Sequence, residues 1–328
     1  MVGSHLADLL LEREPNSKIY GICRWRSPLD NVNHLIPIAN KRKKLFFEYA
    51  DLTDQNSLDN VFKKIKPNYI FHLAAQSFPQ TSFSSSSNTY DTNVIGTSRL
   101  LESIKKFNLN PVIHICSSSE VFGRVNKKYI PIKESTPFHP ASPYAISKAG
   151  TDLIGRFFYE AYGMKTLITR MFTHTGPRRG DVFAESSFAK QIAMIEKNLK
   201  DPVIRVGNLN SLRTFADVRD AVNAYYIMVT KSKKFGEAYN IGGTYSCTIG
   251  EMLNKLISLS TYNKNIKIKT DRNRLRPIDA DLQIPDTGKF KKDFKWNPQI
   301  SFEQTMSDLL DYWRNKIDNN YINNFLER

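Results

Sequence analysis

Val112-Ile-His-Ile-Cys116 runs straight into Ser117-Ser-Ser-Glu120, and further on Ser142-Pro-Tyr144-Ala-Ile-Ser-Lys148 opens a helical pattern. The first segment reads as a buried strand ending in a cluster of hydroxyls and a carboxylate. The second reads as a helix with a proline in its first turn, which puts Tyr144 and Lys148 on one helix face. The same Tyr-x-x-x-Lys spacing recurs at Tyr129/Lys133 and Tyr312/Lys316, so spacing alone decides nothing. Pro131 breaks the first of these, and the third lies on a polar C-terminal helix with no strand-end cluster beside it. Only the stretch from Ser117 to Lys148 gathers hydroxyls, a carboxylate, a phenol and an ammonium, a set suited to proton and hydride chemistry.

The same rhythm continues outward in both directions. Val2 to Glu12 reads as an amphipathic helix, Lys18 to Arg24 as a strand, and 25–44 as a basic loop with one helical turn. Leu45–Tyr49 is a strand, and a helix over 55–65 follows with Asp54 as its N-cap. Then come a strand at 69–75, a helix at 89–107, a strand at 111–116, a helix at 144–162 stopped by Gly163, and a strand at 166–172. Strands alternating with helices predict an α/β fold, a doubly wound parallel sheet of the Rossmann type. Ligands bind such sheets at the carboxyl ends of the strands, where Asp51–Leu52, Ala74–Ser77 and Ser117–Glu120 fall. After Phe172 a smaller mixed α/β unit is expected: an anion-binding loop at 173–180, a helix at 188–199, a strand at 203–206 and a loop at 207–213. A helix at 217–230 and a strand at 238–241 return to the first unit; a helix at 249–259, a strand at 266–269 and a helix at 302–316 complete the second. The division is therefore 1–172 plus about 214–245 against 173–213 plus 246–328.

Composition narrows the function. The 328 residues suffice for one large or two smaller cores, and 41% apolar with 12% aromatic residues marks a globular chain. No apolar run approaches the roughly 20 residues of a membrane helix, and the first residues lack the pattern of a secretory signal. Cys23, Cys116 and Cys247 are too scattered for a disulfide framework or zinc site, so a cytoplasmic protein without a metal is expected. The net charge of +15 suits either nucleic acid or an anionic small molecule. Its clusters, Lys41–Lys44 and Lys231–Lys234, are short and lie at element ends, which favours a nucleotide diphosphate over nucleic acid.

A dinucleotide-binding sheet opens with a strand and a Gly-rich turn into its first helix. Here Gly3 enters that helix as the last glycine of such a turn, the one that allows close helix–strand packing. The first strand and the two earlier glycines are not in the sequence. A misassigned start, a fragment, or a true loss of part of the pyrophosphate site would each account for this.

These stretches together resemble the extended short-chain dehydrogenase/reductases, and within them the GDP-mannose 4,6-dehydratase group with its GDP-manno-heptose relatives. The resemblance is carried by Ala50-Asp51-Leu52, Leu73-Ala-Ala-Gln-Ser77, Ser117-Ser-Ser-Glu120-Val-Phe-Gly123, Ser142–Lys148, His174 with Pro177-Arg178-Arg179-Gly180, Val206–Arg213 and Arg276-Pro277. It implies that 1–172 with 214–245 binds NADP and that the remainder binds the nucleotide sugar. Gly3, Arg24, Asp51, Leu52, Leu73, Ala75, Ser77, Tyr144, Lys148 and His174 would touch the cofactor. Arg24, where NAD enzymes more often carry an acid, favours NADP over NAD. Tyr144 would take the 4-hydroxyl proton, with Lys148 lowering its pKa. Glu120 would remove the C5 proton as water leaves C6, and Ser118 stands where these dehydratases usually carry Thr. Arg179, Lys190, Arg213 and Arg276 would hold the nucleotide sugar. Thr173 replaces the usual Asn before His174, which leaves hexose and heptose substrates both open.

The expected activity is thus NADP-dependent 4,6-dehydration of a GDP-linked manno-configured sugar by a homodimer or homotetramer. The alternatives are a GDP-4-keto-6-deoxymannose reductase or other GDP-sugar epimerase or reductase, and a non-catalytic nucleotide-sugar-binding protein.

Overall fold

The apolar runs become parallel strands because their side chains have a helix layer to meet on each face. The computed structural model describes residues 1–318. Its strands are β1 (Ile19–Cys23), β2 (Leu45–Tyr49), β3 (Tyr69–His72), β4 (Val112–Cys116), β5 (Lys165–Met171), β6 (His174–Thr175), β7 (Val203–Val206), β8 (Leu212–Asp217), β9 (Glu237–Ile241), β10 (Tyr245–Thr248), β11 (Lys267–Thr270) and β12 (Leu282–Gln283). The first-unit helices are α1 (Val2–Arg13), α2 (Ile36–Asn40), α3 (Gln55–Lys64), α4 (Pro79–Ser84), α5 (Ser86–Tyr90), α6 (Gly96–Lys106) and α7 (Pro143–Tyr162). After these come α8 (Ala184–Glu196), α9 (Val218–Lys231), α10 (Ile249–Ser258), α11 (Gly288–Phe294) and α12 (Phe302–Asp318).

β3, β4, β5 and β9 form one parallel sheet in that order, and β1 pairs with β2 in parallel beside it. Successive residues of β4 and β5 face opposite ways. Ile113, Ile115 and Ile168 pack with Leu58 and Phe62 of α3, Leu101 and Ile104 of α6 and Phe158 of α7. On the other face, Leu167 and Met171 pack with Ala221, Tyr225 and Met228 of α9. The expected doubly wound α/β architecture is therefore present, but its sheet lies in two parts. β1 and β3 are not paired with each other, and Ile22 and Tyr69 are 44% and 49% exposed. Tyr20 of β1 and Ile70 of β3 still pack on the same core. The close helix–strand packing expected at Gly3 is absent, since a Cβ there would meet no atom within 4 Å.

The smaller unit is built on β8, flanked by antiparallel β10 and parallel β12, with β6 also paired to β8. α8, α10 and α12 enclose a separate core of Phe188, Ile192, Met252, Leu256, Met306 and Leu310. The sequence reading contains no β6, β10, β12 or α11, β6 falling inside the expected loop at 173–180, and it differs in two further respects. The expected loop at 207–213 ends in strand, so the division at 213/214 cuts through β8. Buried Arg213 and Asp217 hide that strand's alternation. Phe290 and Trp296, assigned by sequence to the second unit, pack with Tyr225 and Tyr239 against the first sheet. No helix among the described residues is long and apolar enough to cross a membrane.

Buried histidines give this fold a specific acid sensitivity. His72 and His114, on adjacent strands, are held neutral by burial, with pKa values pushed down to about 3. Burial also lowers His174 to about 3 and His5 to about 4. Below the ordinary value of 6.5 the unfolded chain takes up protons that the native state refuses, so stability is complete above about pH 6.5 and falls as pH drops toward those values. Urea denaturation at about pH 5 should show a loss of about 2 kcal/mol for each of His72 and His114 relative to neutral pH. An unchanged midpoint would contradict the buried neutral assignment.

Candidate functional site

The carboxyl end of β4 and the start of α7 are stitched together by the polar residues the sequence singled out. Ser142 caps α7 by accepting from the Ala145 amide at 3.0 Å, and Pro143 fits the first turn. Ser117 Oγ donates to the Lys148 carbonyl at 3.2 Å, and Lys148 Nζ donates to the Cys116 carbonyl at 2.6 Å. Ser118 caps the short 3-10 turn Ser119–Phe122, accepting from the Glu120 amide at 3.2 Å. Tyr144 and Lys148 are buried, at 8% and 5% exposure.

Burial pushes the Tyr144 phenol well above its ordinary value; Ser118 beside it and the Arg179 charge pull it down, while Glu120 pushes it further up. Burial lowers Lys148. The expected lowering of Tyr144 by Lys148 is thus replaced by Ser118 and Arg179, because the ammonium is turned to the Cys116 carbonyl.

Arg179 closes the other side. Its side chain is half-buried, and its guanidinium lies 3.4 Å from the centre of the Phe183 ring and pairs with Glu185 at 3.2 Å. Burial lowers its pKa, with Glu185 and Tyr144 opposing. Arg213, 9% exposed, is likewise lowered by burial and raised by Glu120, while Arg276 lowers it. Arg276 approaches Asp279 at 3.6 Å, and Lys190 pairs with Asp181 at 2.8 Å. The structure therefore brings Ser118, Glu120, Tyr144, Arg179, Arg213 and Arg276 into one electrostatic neighbourhood. Lys190 stands on α8 beside the loop that follows Arg179.

The residues expected to meet a dinucleotide occupy the strand ends. Ser77 is exposed and Leu73, Ala75 and Asp51 are half-buried, whereas Leu52 is buried. Arg24, just past β1, is exposed. His174 Nδ1 lies 3.4 Å from the Phe172 carbonyl and feels the Arg179 charge. These groups fit a nicotinamide dinucleotide. Of the three Lys148 donors one goes to Cys116, which leaves capacity for ligand hydroxyls. The shelf at Leu73–Ser77 is open between buried His72 and Pro79.

Asn93 escaped the sequence reading. It lies in a one-turn π-helix, Asp91–Ile95, where the expected continuous helix at 89–107 widens. Its side chain accepts from the Gln76 amide at 2.8 Å, donates to the Gln76 carbonyl at 2.9 Å, and donates to Ser147 Oγ at 2.8 Å. One amide thus ties the end of β3 to α7 between Tyr144 and Lys148. Its signal was an Asn within an otherwise helical stretch, which sequence alone reads as a surface residue. Gly123 fixes the far side of the site. Its φ is +53°, and a Cβ there would lie 1.7 Å from the His139 carbonyl oxygen, so only glycine lets the loop back in so closely.

A parallel α/β sheet with a Tyr-x-x-x-Lys helix and a strand-end hydroxyl cluster defines a short-chain dehydrogenase/reductase of the extended type. The GDP-mannose 4,6 dehydratase family pattern matches residues 1–309; the chain belongs to that family. It is 29% identical to a GDP-mannose 4,6-dehydratase of Yersinia enterocolitica, over 94% of this chain and 90% of that one. Among solved structures it resembles a dTDP-glucose 4,6-dehydratase from Bacillus anthracis in complex with NAD, at a TM-score of 0.80 and 25% identity, covering 97% of this chain and 94% of that one. It also resembles RMD from Pseudomonas aeruginosa complexed with NADPH, at a TM-score of 0.77 and 24% identity, covering 92% of this chain and 100% of that one.

Proposed function

We propose that this protein is an NADP-dependent 4,6-dehydratase of a GDP-linked manno-configured sugar, hexose or heptose. One observation carries the reading. The Glu120 charge acts on Tyr144 and on Arg213 at once, so a carboxylate lies within electrostatic reach of both the phenol and a buried arginine. A simple alcohol oxidation has no use for a base there; removal of a proton from C5 does.

Arg179, Arg213 and Arg276, with Lys190 alongside, hold the diphosphate and set the sugar above Tyr144. Tyr144 takes the C4 hydroxyl proton, with Ser118 and Arg179 favouring the charged phenol. Glu120 then removes the C5 proton, made acidic by the C4 carbonyl, and water leaves from C6. Bound NADP would accept a hydride and return it, held by Lys148, Tyr144, His174, Asp51, Leu52 and the Leu73–Ser77 shelf. Arg24, exposed at the β1 end, supports NADP over NAD through a 2′-phosphate. In this reading the β3–β4–β5–β9 unit serves the cofactor and the β8 unit the sugar nucleotide. A homo-oligomer is supported by Ile146, Leu153 and Phe157, exposed at 47%, 54% and 52% along one stripe of α7.

Incubation with GDP-mannose and with GDP-manno-heptose is expected to give a 4-keto-6-deoxy product from one of them without net consumption of NADPH. Stoichiometric loss of NADPH absorbance with a 4-keto sugar would replace this reading with the reductase. Binding of GDP-sugar without turnover would replace it with a non-catalytic protein.

A further inference from the structure

Arg179 follows a residue in a costly conformation. Arg178 has φ +69°, the left-handed region that glycine adopts freely and arginine does not. The backbone around it is gripped from helix α1 and the loop after β1. Arg178 Nη1 reaches Asp8 Oδ2 at 2.6 Å and Ser4 Oγ at 3.3 Å. Asn31 Nδ2 donates to the Arg178 carbonyl at 3.2 Å, and His5 Nε2 donates to the Pro177 carbonyl at 3.0 Å. Asp8 is itself steadied by His34 Nε2 at 2.8 Å. Ser4, His5 and Asp8 share one face of α1, three and four residues apart. The residue held in this way is followed directly by Arg179, whose carbonyl accepts from Ser186 Oγ at 2.7 Å and whose charge falls on Tyr144.

We propose that Asp8 is a positioning residue for substrate binding: through Arg178 it holds the left-handed turn that aims Arg179 into the site. Asp8 touches neither Tyr144 nor the arginines of the diphosphate site, so its effect is transmitted by backbone conformation. When Asp8 is lost, Arg178 keeps only the longer contacts to Ser4 and Asn31, which are too weak to offset its strained φ; it relaxes, and Arg179 swings with it. A glycine at 178 removes the strain and makes the turn independent of Asp8. This inference rests on the reading of Arg179 as a nucleotide diphosphate ligand.

The test compares the full-length chain with its Asp8→Ala, Arg178→Gly and double variants. GDP is titrated by calorimetry, and hydrogen exchange is followed over 176–183. Asp8→Ala should weaken GDP about tenfold and speed exchange in that segment, with the global unfolding midpoint little changed because Asp8 is 35% exposed. Arg178→Gly alone, and the double variant, should bind GDP within about threefold of the parent. A double variant as weak as Asp8→Ala, or an Asp8→Ala protein that binds and exchanges like the parent, overturns the proposal. Failure of the parent to turn over GDP-sugars would count against the dehydratase reading alone. Were the parent not to bind GDP, exchange in 176–183 and its recovery in the double variant would still decide the positioning role.

Discussion

Tyr144→Phe is expected to lower kcat by about two to four orders of magnitude, the range of a lost general acid–base group, while GDP binds as before. The phenol is buried against the start of α7, and its amide accepts no substitution penalty: the Tyr144 N–H still donates to Ser82 Oγ at 3.0 Å in the variant, because that bond is made by the backbone. The ring volume is kept, so packing around β4 and α4 has no cavity to absorb. What disappears is the one hydroxyl on which Ser118, Glu120 and Arg179 all act. Its neighbours work in opposite directions, Ser118 and Arg179 favouring the charged phenol and Glu120 the neutral one, as suits a group that must both take a proton and give it back. A variant that keeps more than about a tenth of parental kcat would remove Tyr144 from the proton pathway. A variant that loses GDP affinity in parallel would show that the phenol binds rather than reacts.

How much of this was legible in the sequence depends on how local each signal was. The strands β2 and β7 fall where apolar runs place them, and Asp54 caps its helix as its position implies, because period and capping are properties of a few neighbouring residues. β8 was missed because burying Arg213 and Asp217 removes the apolar alternation that marks a strand. Asn93 and the π-turn were missed because their meaning lies in Gln76 and Ser147, distant in sequence. The pair Tyr144 and Lys148 was legible as a motif, yet its electrostatics were not: that Lys148 turns to the Cys116 carbonyl and that the Arg179 charge reaches the phenol depend on residues 32 and more positions away in sequence. The tie from Asp8 to Arg178 spans 170 residues, and neither residue carries a local signal that would announce it.

Glu120→Gln is expected to stop dehydration while leaving oxidation at C4 possible. Glutamine keeps the size and the hydrogen bond that the residue 120 backbone N–H donates to Ser118 Oγ, but it cannot accept the C5 proton. The electrostatic side effect runs in the helpful direction for Tyr144. Glu120 raises the phenol pKa, so neutralising it eases proton removal from the C4 hydroxyl, and a lost overall rate then cannot be blamed on Tyr144. The cost falls on Arg213, whose charged form Glu120 supports; that predicts a modest loss in GDP affinity, about two- to fivefold, separate from the rate. The rate itself should drop by about a thousandfold or more, and mass spectrometry of a single turnover should find a 4-keto sugar that still carries its C6 oxygen. Solvent deuterium should no longer enter at C5. Formation of the 4-keto-6-deoxy product at near-parental rate would take the C5 proton away from Glu120, and with it the observation that distinguishes elimination from plain oxidation and reduction at this site.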